Sequence, residues 1–374
     1  MDSALSDGGT QAETRRRGPV HRHDLLRLAT ITTVVCTVAL IALGSTVRVT
    51  ESGMGCSSWP LCNGQIGPID RFHALMEQSH RYLVAVVSVL VVVNLVLAWR
   101  RRLRQPDVLL PATAATGLLV VQVMLGALTV FAHNAGWTVG VHMVCAQLLL
   151  AAVAVTAWRA THPHRASVPA PAAAAGAGAG SRSPGPKASW PPGPRAPWPL
   201  GAGRAGVAML ALLVATLIAG ATVVDSGAEQ ACPSWPLCPA GASGHLVAIQ
   251  LVHRGIAAAA GVAVLVVALQ AWRRRSSRVE PGAIALVVLL ALQGAAGGIS
   301  AVLRAPAGAA DVHLAGATLL WLAGVLVVAR GVPASPQAGS VASDQVSASR
   351  RVTGGASRPV AVPAATGAAL PNRP

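Results

Sequence analysis

This chain carries little charge. Only 11% of its residues are charged against 53% hydrophobic, and a mean hydropathy of +0.56 excludes an ordinary soluble domain of this length. Acidic residues are scarcest, 13 beside 29 lysines and arginines, which leaves a formal net charge of +16. Cysteine is sparse too: there are six in 374 residues. Four of the six fall in two near-copies of one heptapeptide, CSSWPLC at 56–62 and CPSWPLC at 232–238.

What is present is apolar length. Eight uninterrupted apolar runs lie at roughly 26–47, 80–99, 108–131, 139–158, 205–224, 246–272, 282–303 and 312–330. Each has about 20 residues, enough for a helix to cross a hydrocarbon core of about 30 Å. The first run is long and has no small-residue cleavage site after it, so a retained helix is expected and not a removed signal peptide. If both termini and every second loop share one side, 24 of the 29 lysines and arginines fall there. That imbalance predicts cytoplasmic termini and a multi-pass protein of the cell membrane. The basic charge is then a topology signal and not a nucleic-acid footprint, and no nucleic-acid partner is expected. Three Ala-Trp-Arg copies, at Trp99, Trp158 and Trp272, close even-numbered spans where interfacial tryptophans belong.

Segments rich in Pro, Ala and Gly interrupt this scheme, and neither could bury a core. The expected division is a cytoplasmic N-tail (1–25), a first four-helix bundle (26–158), a disordered linker (159–204), a second bundle (205–330) and a disordered tail (331–374). The halves align. GSTVRVTESGMGCSSWPLC at 44–62 answers to GATVVDSGAEQACPSWPLC at 220–238, and EQSHR at 77–81 to the end of IQLVHR at 249–254. Gln122, Gly126 and His142 answer to Gln293, Gly297 and His313 with the same spacing. The expected fold is an all-α integral membrane protein, its eight transmembrane helices arranged as two tandem four-helix bundles related by a pseudo-twofold axis along the membrane normal.

Both cysteine pairs then lie in extracytoplasmic loops, where disulfides persist. Local bridges Cys56–Cys62 and Cys232–Cys238 are one reading, and a shared Cys₄ metal site is the other. Cys36 and Cys145 lie inside apolar helices and read as packing residues. Of eleven histidines, His80, His142, His253 and His313 occur once in each even-numbered span, near its outer end. A single intramembrane histidine usually bonds a neighbouring helix. Four at repeated positions point to function, because buried ionisable groups are costly in a bilayer. Two imidazoles facing each other across a four-helix bundle hold a heme iron from both faces, so the expected metal sites are His80 with His142 and His253 with His313. The other histidines His73, His133 and His245, in or beside outer loops, carry no assigned role.

The eight spans, the doubled Cys-x₅-Cys loop, the Glu-x-x-His-Arg of Glu77, His80 and Arg81, and the later histidines together resemble the heme A synthase family over roughly 26–330. The resemblance implies a membrane oxidoreductase that oxidises the C8 methyl of heme O to a formyl group, giving heme A for cytochrome oxidase assembly. It further implies a resident heme b cofactor in the C-terminal half, on His253 and His313, and the substrate heme in the N-terminal half. Implied partners are a heme O synthase and an electron donor, beside membrane lipid. A homo-oligomer is left open.

The residues supply their own reason for that division. Glu77 precedes His80 by three, and its aligned partner before His253 is Gln250. Residues at i and i+3 share a helix face, so only the first half has a proton-exchanging group beside its ligand. The alternative is a surface ion pair between Glu77 and Arg81. Arg81 and Arg254 either meet heme propionates or snorkel to the interface. The competing functions are a non-catalytic diheme membrane cytochrome, which needs no Glu77, and a heme transporter gated by the paired loops.

Overall fold

A computed structural model of the chain describes residues 21–56, 58–66, 71–162, 200–273 and 281–330. It is all-helical among these residues: α1 (His21–Val49), α2 (Phe72–Arg100), α3 (Leu109–Phe131), α4 (Gly136–Thr161), α5 (Leu200–Asp225), α6 (His245–Arg273), α7 (Pro281–Val302) and α8 (Ala307–Ala329). Within these, eight segments are long and apolar enough to cross a membrane, which makes this a multi-pass membrane protein.

The helices outrun the apolar stretches that announced them. α2 begins at Phe72 and carries His73, Glu77 and Gln78 in its first turns, so His80 lies two turns inside. α1 reaches back to His21, α4 continues to Thr161 and α5 starts at Leu200, each taking residues from a segment expected to be tail or linker. Hydropathy marks where hydrocarbon begins, whereas a helix continues wherever its backbone bonds are satisfied. The rest of the expected linker and the whole expected tail lie outside the described residues.

Within each half the helices close a ring in the same order. α1 packs on α2 and α4, and α3 on α2 and α4; α5 packs on α6 and α8, and α7 on α6 and α8. The halves meet through α1 with α8, α4 with α5, and α4 with α8. The larger apolar cluster spans this junction, joining Ile41, Leu150 and Ala154 to Met209, Val264 and Trp321. Because lipid is as apolar as these side chains, polar links supply part of the specificity between helices. Asn94 donates to the Thr33 hydroxyl at 2.8 Å between α2 and α1. Gln147 donates to Thr318 at 2.9 Å while its carbonyl accepts the Trp321 indole N–H at 2.8 Å, joining α4 to α8. Val89, Leu110, Val120, Leu265 and Leu292 point outward, as lipid-facing residues do.

The connections from α1 to α2 and from α5 to α6 lie at the end of the molecule that carries the four repeated histidines. Each is closed by a disulfide, Cys56 with Cys62 and Cys232 with Cys238. The Cys₄ alternative is thereby set aside, and among the described residues no group of three or more His, Cys, Asp or Glu could hold a metal ion. Cys36 and Cys145 remain free, and Cys145 is buried against the Leu118 carbonyl.

Candidate active site

Each of the four histidines rests against a glycine of the preceding helix. A Cβ added at Gly44 would come within 3.0 Å of the His80 ring, at Gly126 within 3.4 Å of His142, at Gly220 within 3.2 Å of His253, and at Gly297 within 2.8 Å of His313. At Gly44, Gly220 and Gly297 glycine is a matter of space, since a larger residue would press on the ring, whereas at Gly126 a methyl would make ordinary contact with it. Gly44 and Gly220 open the duplicated stretches that start the two loops, so the signal was present in the repeat. Its meaning depended on which helix faces which.

His80 and His142 lie within electrostatic reach of each other, and so do His253 and His313. In the first half the Nδ1 atoms of His80 and His142 are buried without a hydrogen-bond partner. Gln122 of α3 lies 3.1 Å from His142 Nε2, and Gln293 of α7 lies 3.2 Å from His313 Nδ1. The repeated Gln-x₁₉-His spacing therefore reports a contact that orients each ring. Paired imidazoles and the buried, unpartnered Nδ1 atoms of His80, His142 and His253 are a donor set that would suit heme iron.

Glu77 is buried. Its Oε2 accepts the Cys56 backbone N–H at 2.8 Å, and its Oε1 accepts from Arg81 at 2.6 Å. The i, i+4 ion pair with Arg81 exists, but its carboxylate is buried and its guanidinium only half-exposed at most, so it is not a surface pair. Arg81 Nη1 also donates to the carbonyls of Ser58 at 2.7 Å and Pro60 at 3.2 Å. The second half repeats the latch without the acid. Gln250 donates to the carbonyls of Ala228 and Glu229, and Arg254 to those of Cys232, Ser234 and Pro236. Both arginines thus fasten the disulfide loops, and a propionate reaching either would share its guanidinium with the loop. Among the described residues Arg254 has no carboxylate within salt-bridge distance, so this rim stays positive while the rim at Arg81 is neutralised.

The three unassigned histidines stand apart from the ring pairs. His73 Nδ1 contacts the Ser52 hydroxyl at 2.9 Å and braces the first loop; His133 occupies a left-handed turn position after α3; His245 begins α6. A groove of about 340 Å³ between α1, α4 and α8, lined by Arg27, Trp158 and Leu326, opens at the opposite end. Trp158 lies about 24 Å along α4 from His142 at the usual helical rise, so the groove is not part of this site.

The family described as cytochrome oxidase assembly protein, COX15-CtaA, matches residues 27–325. The chain is 27% identical to a heme A synthase of Shouchella clausii over 290 residues, 75% of this chain and 87% of that protein. It is 27% identical to a heme A synthase of Geobacillus kaustophilus over 275 residues, 70% of this chain and 78% of that one. A shorter match, 34% identical over 125 residues, is to a protoheme IX farnesyltransferase of Halobacterium salinarum, covering 32% of this chain and 27% of that protein.

Proposed function

The chain belongs to the COX15-CtaA family of cytochrome oxidase assembly proteins, and on that premise we propose how it acts as a heme A synthase. It takes heme O as substrate and oxidises the C8 methyl to the formyl group of heme A. The first half receives the substrate on His80 and His142, and the second keeps a resident heme b on His253 and His313. Bound heme b supplies the one-electron redox chemistry that the side chains lack.

The observation that carries this division is the pair Glu77 and Gln250. They occupy aligned places and both secure a disulfide loop, but only Glu77 can exchange a proton. Turning a methyl into a formyl removes hydrogen as protons and electrons and adds one oxygen atom from water or dioxygen, so a carboxylate that can take up protons beside the ring edge suits the oxidising half. The amide suits a half that only passes electrons. Arg254, left without an acid, favours the anionic edge of a permanently bound heme. Gln122 and Gln293 keep His142 and His313 turned to their partners, and the apolar packing between helices excludes water.

The two halves form pseudo-twofold-related bundles in the cell membrane, with the disulfide loops extracytoplasmic and the termini cytoplasmic. The charge imbalance and the persistence of disulfides outside the cytoplasm support that orientation. A heme O synthase supplies the substrate, and a separate electron donor is the further redox partner. The deciding experiment is co-expression with a heme O-producing enzyme, followed by heme extraction from the purified protein. Heme A, or a hydroxylated heme O intermediate, is the expected result; heme b alone at both sites would make the protein a diheme cytochrome instead.

A further inference from the structure

The two halves meet at equivalent helix pairs, α1 with α8 and α5 with α4, and these junctions are not chemically alike. Aligning Gly44 with Gly220 sets Ser45 against Ala221, and aligning His142 with His313 sets Gly140 against Asp311. Both aligned pairs touch. The Ser45 hydroxyl donates to Asp311 Oδ1 at 2.5 Å, whereas the Ala221 methyl lies 3.5 Å from where a Gly140 Cβ would be. One junction holds a carboxylate and a hydroxyl where the other holds small apolar groups. The second junction has an acid of its own, Asp225, but it lies over Gly136 at the very end of α5. It is a turn nearer the aqueous edge than the Ala221 contact.

The apolar pair shows that this geometry packs without a charge. A carboxylate within a membrane span is costly, and packing alone does not call for one here. Its neighbours point to the reason. Ser45 directly follows Gly44, the seat of the His80 ring, and Asp311 stands two residues before His313. At 3.6 residues per turn, positions two apart lie on roughly opposite sides of a helix. α8 therefore presents His313 to its own bundle and Asp311 to α1. The hydrogen bond runs from the seat of one ligand to the helix that carries another.

We propose that Ser45 and Asp311 form a positioning pair, which fixes the His80 seat of the first half against the His313 helix of the second and so sets the geometry for electron transfer between the two hemes. This rests on the two-heme reading above. Neither residue touches a heme; they act through Gly44 and α8. Gln147 with Thr318 and Trp321 holds α8 to α4 deeper in the molecule, and the Ser45–Asp311 bridge adds a polar contact to α1 at the end beside the histidines, where the aligned junction has only small apolar groups.

The test uses full-length protein loaded with heme b and heme O. The double variant Ser45→Ala with Asp311→Gly copies the Ala221 and Gly140 pair, so it should fold and keep the low-spin spectrum and midpoint potential of the resident heme. Heme-to-heme electron transfer after rapid reduction should slow several-fold, because tunnelling falls off steeply as the separation and mutual orientation of the two groups are loosened. Asp311→Asn retains an acceptor for Ser45 and should stay near the wild-type rate. The exchanged variant Ser45→Asp with Asp311→Ser should regain most of the lost rate, which a loss of general stability would not allow. An unaltered rate in the double variant, or no recovery in the exchanged one, overturns the proposal. If the unmutated protein takes up heme in its second half only, the two-heme reading fails first and this proposal falls with it.

Discussion

Glu77 accepts the backbone N–H of Cys56 at 2.8 Å, so the carboxylate three residues before His80 also anchors the first disulfide loop. Loop and ligand helix are joined through one side chain. The aligned Gln250 shows that an amide does the anchoring equally well, by donating to loop carbonyls.

Glu77→Gln should therefore leave the loop closed and the protein folded, with Arg81 free to take a further carbonyl as Arg254 does. What it removes is the ionisable group. General acid–base residues typically contribute about 10²–10⁴-fold, roughly 3–5 kcal/mol of barrier. Heme extraction should find heme A nearly gone and heme O accumulated on the protein. The reciprocal Gln250→Glu should be mild, and a larger loss there than at Glu77 would place the chemistry in the other half.

The glycine seats predict a graded series. Gly297→Ala meets the His313 ring at 2.8 Å and should be the most damaging, while Gly126→Ala meets His142 at 3.4 Å and should be tolerated. Forced overpacking costs about 1–3 kcal/mol, enough to turn an imidazole away from iron. Low-spin heme absorbance in protein made without substrate should fall more for Gly297→Ala than for Gly220→Ala, which meets His253 at 3.2 Å, while Gly126→Ala should hold the absorbance of protein loaded with heme O. The reverse order would show that the rings are not seated on these glycines.

His253→Ala and His313→Ala should each remove the resident low-spin heme b signal, since each deletes one axial ligand. An unchanged spectrum in both places that heme in the first half.

Thiol labelling of unreduced, denatured protein should modify only Cys36 and Cys145, because the other four are bridged. Modification of all six would remove the bridges from the argument. Closing so short a ring contributes about 2–3 kcal/mol at most by chain entropy, so replacing either pair with serine should impair activity more than folding.

Sidedness is checked with reporters. One fused after about residue 180 should be active only in the cytoplasm, and one inserted near Gly241 only outside. The opposite pattern would reverse the orientation on which the persistence of the disulfides rests.

The solvent made much of this protein legible in one dimension. Bilayer hydrocarbon demands long apolar helices, so the eight spans stand out as hydropathy alone. Ionisable groups are costly there, so four histidines at repeated positions mark functional places in the sequence itself. Duplication supplied the comparison that set Glu77 against Gln250. Other features depended on how each helix is rotated and tilted against its neighbours, which hydropathy does not encode because lipid and protein interior are equally apolar. The burial of the Glu77 and Arg81 pair, the turning of both arginines onto the loops, and the seating of four rings on glycines are of this kind. So is the bond between Ser45 and Asp311, 266 residues apart in the chain. Only the tertiary structure could decide that contact, because helix rotation is fixed by side chains interlocking across the junction of the two halves.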